Sequence, residues 1–243
     1  MHKLTGIILT KNNENTIEMA IKSLLFADEL IVIDSGSTDK TLDIVKSFNV
    51  KLIEQEWLGY AKQKQLGVDL AQNSWVFVLD SDEEITQKLQ DEIKQTLKNP
   101  TKDGYFVSRK NIYFGKLLNY GLYPDRHIRL FNKTKGKFID RSVHESVKVD
   151  GKIGYLKNIM IHYAYDTIDE CIDKFNEYST LGAKNSLFKR VVSPYWIFFR
   201  FYILKLGFLD GWHGFITAKM YKDYTFWKYV KADSKFKTKF PIK

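Results

Sequence analysis

The sequence runs to 243 residues, 44% hydrophobic and 15% aromatic, enough for one substantial core with an appendage. A formal charge of +9 calls for a polyanionic partner, whether nucleic acid, an anionic membrane face or phosphorylated substrates, and does not choose among them. The single cysteine, Cys171, excludes an intramolecular disulfide and a cysteine-built metal cluster, and reads as a small buried hydrophobe compatible with a reducing cytosol.

In chain order, the opening MHKLTGIILTKNN holds an apolar run too short for a signal-peptide core and reads as a first strand, Leu4 to Thr10. Aliphatic runs predict further strands at Leu30 to Ile33, Val50 to Glu54 and Trp75 to Leu79. Between them, Asn15 to Phe26 sets Ile17, Ala20, Ile21, Leu24 and Leu25 at helical spacing, and Asp39 to Phe48 starts at an acidic cap and groups Leu42, Val45 and Phe48. The alternation predicts an α/β body of βα units around a mainly parallel sheet. From Gly104 to Ile161 short runs (GYFVSR, HIRLF, ESVKV, IGYLKNIMIHY) predict an antiparallel extension, and from about Thr167 the pattern is helical. The most apolar window, Tyr195 to Leu209, is shorter than the roughly 20 residues that span a bilayer and carries Arg200 and Lys205, so it does not read as transmembrane. The expected organisation is a catalytic domain over residues 1–165 and a C-terminal helical extension over 166–243.

Open parallel sheets bind ligands beyond the carboxyl ends of their strands, which directs attention to Thr10–Glu14, Asp34–Asp39 and Asp80–Glu83. Asp80 and Asp82 stand at alternate positions where WVFVLD leaves the sheet. Two hard oxygen ligands there suit Mg2+ or Mn2+, which neutralises a diphosphate; acidic residues at a helix start are the plainer reading. Asp34 can accept hydrogen bonds from a base or ribose, and Asp39 reads as a helix N-cap. Arg126 and Arg129 offer guanidinium forks for a diphosphate or a phosphorylated acceptor, or else ion pairs to Asp125 or Asp140. His162 is a third metal ligand or a satisfied core histidine. From Lys189 onward aromatics alternate with basic residues, a pattern suited to an anionic membrane interface as well as to helix packing.

The ordered segments ILTKNNENT, VIDSGSTDKT, EWLGYAKQKQ and VLDSDEEI resemble glycosyltransferase family 2, inverting enzymes with a GT-A fold. YPDRHIRLF, SVHESV, IHYAY, GFLDGWHGF and YTFWKYVK resemble its lipopolysaccharide-core glucosyltransferase branch, and together the motifs cover nearly the whole chain. The resemblance implies a GT-A (Rossmann-like) fold: a mixed, mainly parallel sheet flanked by helices, with the C-terminal helical extension. It implies that Thr10, Glu14 and Asp34 contact the nucleoside, that Lys64 lies near the donor, and that Asp80 and Asp82 are the metal pair, Asp80 also on the donor side. Gln65 stands where that branch usually has Asn. Displacement at the anomeric carbon needs a carboxylate base. Glu145, beside His144, is the first choice, with Asp140 and Asp125 as competitors and a merely solvated Glu145 as the plain alternative.

The implied partners are a UDP-sugar, glucose first among hexoses, and a saccharide acceptor such as lipopolysaccharide inner core or another lipid-linked glycan. The implied location is the cytoplasm, peripheral on the cytoplasmic face of the inner membrane. A metal-dependent nucleotidyltransferase would need a glycine-rich phosphate loop that TKNNENT lacks. A basic nucleic-acid-binding module ranks last, because acidic loops at the sheet edge repel phosphates, and no nucleic-acid partner is expected.

Overall fold

The LTGIILT run forms β1 (Leu4–Thr10), buried at every residue, as a central strand covered on both faces must be. It pairs in parallel with β2 (Glu29–Asp34) and β4 (Trp75–Asp80), and β2 pairs in parallel with β3 (Lys51–Glu54). The crossovers are α1 (Ile17–Leu24), α2 (Thr41–Lys46) and α3 (Tyr60–Leu70). These are the expected βα units, with α1 and α2 each two residues shorter at either end than the sequence pattern. This computed structural model describes residues 2–139, 146–183 and 186–233.

After β4 the chain turns into β5 (Glu83–Ile85) and α4 (Gln87–Thr96), then β6 (Gly104–Tyr113), β7 (Lys116–Leu117), β8 (Asp125–Asn132), β9 (Gly136–Ile139), β10 (Ser146–Val149) and β11 (Ile153–Tyr165). The main sheet runs β3-β2-β1-β4-β8-β6-β11-β5, with β7 on β6 and a separate β9–β10 pair. Its first four strands are parallel, and β4–β8, β6–β8 and β11–β5 are antiparallel. The mixed sheet agrees with the expected fold class.

Period-two alternation divides the core. On one face Ile8, Val32, Phe77 and Leu79 pack with Ile17, Ile21 and Leu24 of α1 and Leu89 and Ile93 of α4. On the other, Ile7, Ile31, Val76 and Val78 pack with Val68 of α3. Truncating one of these fully buried side chains to Ala costs about 2–5 kcal/mol.

The chain divides into two compact units, Met1–Arg109 with Asp125–Tyr163, and Lys110–Pro124 with Ala164–Lys243. The second takes the segment 110–124 as well as the C-terminal helices α5 (Ile168–Leu181), α6 (Leu187–Phe199) and α7 (Gly211–Val230), with a π-helical turn Arg200–Leu204 and a 3-10 turn Gly207–Asp210 between α6 and α7. Its centre gathers Tyr113, Leu118 and Cys171 with Tyr165, Phe175 and Met220. Cys171 is buried as expected, and burial pushes its thiol up to about 12. Buried Asp210 accepts the backbone N–H of Asn119 and of Tyr120, anchoring 118–122.

Candidate active site

β1 and β2 end in register, Thr10 beside Asp34, so the loops that follow leave the sheet together. Hydrogen bonds knit the loops: Asn12 N–H donates to Ser37 Oγ (2.9 Å), Thr38 N–H to Asn12 Oδ1 (2.7 Å), Asn13 N–H to Thr41 Oγ1 (2.8 Å) and Lys40 N–H to Glu14 Oε2 (2.9 Å). Asn12 itself sits at φ 52°, a conformation that Asn tolerates better than most residues. The Asp39 carboxylate accepts from Thr41 N–H at 3.0 Å and from Glu14 N–H at 3.1 Å, one residue ahead of the helix's own cap position, Lys40. Buried Asp34 accepts from the N–H groups of Gly36 (2.8 Å) and Ser37 (2.9 Å) and from the Ser37 hydroxyl, so much of its hydrogen-bonding capacity shapes its own loop. Thr10 is buried and its hydroxyl has no hydrogen-bond partner among the described residues, an unusual state for a native polar group.

α3 lies hard against the sheet. A Cβ on Gly67 would overlap Ile7 Cγ2, so only glycine permits the approach. The closeness brings Gln63 and Lys64, both buried, to the strand ends. Gln63 Nε2 donates to Ser35 Oγ (3.0 Å) and to the Gln55 carbonyl (3.2 Å), and its Oε1 accepts Leu58 N–H (3.2 Å), tying residues 55–58 to the loop after β2. Lys64 Nζ sits 2.8 Å from Asp80 Oδ1. Gln65 is turned elsewhere, donating to Asp69 and accepting Phe138 N–H.

Asp80 begins a chain of alternating charges. Its Oδ2 lies 3.0 Å from Arg129 Nη2, which lies 2.6 Å from Glu83 Oε1; that oxygen is also 2.9 Å from Arg109 Nη1. Arg109 Nη2 reaches Asp125 at 2.7 Å, and Asp125 Oδ1 is 2.9 Å from His127 Nε2. Glu83, fully buried, also accepts the Asp80 N–H at 3.1 Å. The pairing of β6 with β8 supplies the geometry. Tyr105 faces Leu130 and Phe106 faces Ile128, which leaves Arg129 out of the ladder at a bulge, a device that re-aims a side chain. Burial pushes the Asp80 carboxyl upward, and the charges of Lys64 and Arg129 override it, holding the group well below the usual carboxylate range. Asp125 is likewise depressed against its burial, by the hydrogen bond to His127 and the charge of Arg109, and such a carboxylate is a poor proton acceptor.

Both oxygens of Asp80 are thus engaged by cations. Asp82 is not in that chain. His162 Nε2 lies 3.4 Å from its Oδ2, with the imidazole mostly buried and Asp82 the more exposed. The antiparallel β11–β5 pair sets His162 opposite Glu83, and Tyr163 N–H donates to the Asp82 carbonyl at 2.9 Å. Among the described residues no three His, Cys, Asp or Glu side chains converge as a metal cage. Asp82 and His162 nevertheless fit a divalent ion: a hard carboxylate and an imidazole suit Mn2+, and such sites are ordinarily completed by substrate phosphates and water.

The sequence offered Arg129 a diphosphate or a phosphorylated acceptor, or else an ion pair with Asp125 or Asp140; among the described residues it pairs with Asp80 and Glu83. Arg126 is not brought to this cluster. It follows Asp125 on the strand and so faces the other way, exposed, with its guanidinium 5.4 Å from the Tyr155 ring centroid. Glu145, His144 and Asp140 lie outside the described residues.

The profile of Glycosyl transferase family 2 matches residues 5–164. The chain belongs to glycosyltransferase family 2. Its relatives include an uncharacterized glycosyltransferase of Rickettsia typhi, 34% identical, with 90% of this chain and 82% of that protein covered. The lipopolysaccharide core biosynthesis glycosyltransferase LpsC of Rhizobium meliloti is 29% identical over 92% of this chain and 89% of its own. Among solved structures, S. aureus TarS residues 1–349 superpose with a TM-score of 0.50 at 15% identity, covering 93% of this chain and 90% of that one, a likeness of fold. Membership makes the chain a glycosyltransferase and decides against the nucleotidyltransferase and nucleic-acid-binding readings.

Gln63 and Arg109 went unnoticed in the sequence, and Glu83 was read only as the end of the acidic segment after β4. A signal existed for Arg109: in YFVSR it continues the inward series Tyr105, Val107. Glu83 likewise shares its side of β5 with buried Ile85.

Proposed function

We propose that this family 2 enzyme transfers a hexose, glucose first, from a UDP-sugar to a saccharide acceptor, with inversion at the anomeric carbon. Lipopolysaccharide inner core or another lipid-linked glycan is the acceptor class. The LpsC relative supports the acceptor, and the fold and motif order support the donor and stereochemistry. The observation that carries the site assignment is the division of labour between the two aspartates: Asp80 is engaged by Lys64 and Arg129, whereas among the described residues Asp82 has no Lys or Arg within ion-pair distance and has only His162 beside it as an ion-pair partner. Asp82 and His162 would hold Mg2+ or Mn2+, with Asp80 turned to orient the cations beside the donor. When bound, the ion supplies charge neutralisation on the diphosphate. Thr10, Glu14, Asp34, Lys64 and Asp80 line the nucleotide side, where the unsatisfied Thr10 hydroxyl supports a ligand contact. Glu145 takes the acceptor hydroxyl proton as that oxygen bonds the anomeric carbon, and UDP departs with the electron pair of the broken bond. Arg129 acts through Asp80, and exposed Arg126 is assigned to the acceptor.

The segment 166–243 faces an anionic membrane, and the enzyme works peripherally on the cytoplasmic face of the inner membrane. Supporting this, Phe188, Tyr195, Trp196, Leu209 and Trp212 are more than half exposed, and residues 187–209 contain Lys189, Arg190, Arg200 and Lys205 with no Asp or Glu. No helix among the described residues is long and apolar enough to cross a membrane.

Calorimetric titration with UDP, with GDP as control, tests the site with and without Mn2+. Metal-dependent UDP binding that both Asp82→Ala and His162→Ala abolish is the expected result. UDP binding indifferent to metal in the wild type would overturn the metal assignment.

A further inference from the structure

Positive charge also gathers away from the strand ends. Lys133, Lys135, Lys137 and Lys148 line an open cleft of about 430 Å³, with Asp150 the one acid among its lining residues. The backbone beneath them is fixed. Lys135 N–H donates to the Asn132 carbonyl (3.0 Å), Asn132 Oδ1 accepts Thr134 N–H (3.0 Å), and Asp150 N–H donates to the Lys135 carbonyl (2.7 Å). Lys133 Nζ is anchored on the Ala71 carbonyl at the end of α3.

Lys137 and Lys148 stand directly opposite one another across β9 and β10. Like charges in that position disfavour the pairing. Lys135, Lys137 and Lys148 are exposed, and no carboxylate of the described residues lies within ion-pair distance of them. A repulsive cluster carried on the β9–β10 pair becomes an attractive one when an anion enters it. Ammonium groups bind phosphate as point charges, and the cleft volume falls within the range of small-molecule sites. The donor site has acidic loops and calls for a metal; this cleft offers cations directly.

We propose that the cleft of Lys135, Lys137 and Lys148 is a second anion site, which takes a phosphate-bearing group without metal. The group belongs either to a soluble phosphorylated molecule or to an anionic lipid headgroup.

The test uses the full chain in EDTA, so that metal-dependent donor binding is silent. Inorganic pyrophosphate is titrated calorimetrically, and cosedimentation is measured with phosphatidylcholine vesicles with or without phosphatidylglycerol. The paired substitutions Lys137→Gln/Lys148→Gln and Lys137→Glu/Lys148→Glu are compared with Lys88→Gln/Lys98→Gln and Lys88→Glu/Lys98→Glu, which match them in net charge at exposed positions outside the cleft. The Gln pair weakens binding by about tenfold, as expected for two exposed charge pairs, and the Glu pair abolishes it. Loss of pyrophosphate binding identifies a soluble phosphate source, and loss confined to phosphatidylglycerol vesicles identifies a headgroup; both support the site. Unchanged binding in the cleft variants, or equal loss in the Lys88/Lys98 control, overturns it. UDP binding with Mn2+ stays at the wild-type level in the cleft variants, which separates this outcome from any failure of the donor-site reading.

Discussion

At the carboxyl ends of the parallel strands, Glu83, Arg129 and Lys64 are almost wholly buried, and each is held by an opposite charge within 3 Å. In the C-terminal helices Trp212 and Phe188 are about three-quarters exposed, with aromatic bulk where a water-facing helix would carry charge. The first region excludes water from charges and the second offers apolar surface to whatever lies outside. Buried pairs contribute little net stability relative to well-packed apolar groups, but removing one member leaves its partner stranded. Exposed aromatics can be removed with little effect on the fold. A residue's energetic weight here follows from what its removal leaves unpaired.

The sharpest way to break this contrast is Glu83→Ala, which removes the carboxylate that Arg109 and Arg129 share and leaves the two like charges close together, each with one remaining partner, Asp125 and Asp80. It should cost about 3–5 kcal/mol, read as a fall in thermal midpoint of roughly 6–20 °C. A loss under 1 kcal/mol would mean that the arginines find water.

Acid should probe the same chain more gently. Asp80 and Asp125 are held below the ordinary carboxylate range in the fold, so their stabilising contribution is complete above the unfolded value of about 3.9. It is lost as pH falls through the folded values. The urea midpoint should therefore be level from pH 7 to about 5 and decline below about 4, with the decline blunted in Asp125→Asn. A midpoint that rises on acidification would contradict the assigned direction.

The smallest stability effect belongs to the other region. Phe188→Ser/Trp212→Ser should change folding stability by no more than about 0.5 kcal/mol per site while cutting cosedimentation with anionic vesicles severalfold. Large destabilisation with unaltered vesicle binding would make these residues packing groups and remove the contrast.

Much of the fold was legible because the strands that build it are read locally. β1 falls at Leu4–Thr10 as expected, since a strand covered on both faces must be apolar throughout. The Asp80–Ser81–Asp82 turn was legible for a related reason, as polar residues ending an apolar strand mark the sheet's edge. The roles within it were not. Asp80 and Asp82 look alike in sequence, and what separates them is Lys64 arriving on α3 and Arg129 arriving through a bulge on β8.

The amino-acid pattern by itself determined the βα alternation, the acidic strand ends, the helical C-terminus and the family, because each depends on neighbours within a few positions or on motif order. Only the tertiary structure decided which carboxylate is neutralised by cations, that Glu83 and Arg109 are buried partners, and that Lys137 confronts Lys148. Those outcomes depend on strand register and on side chains brought together from distant parts of the chain, and a charge has no fixed role until its partner's distance and exclusion from water are set.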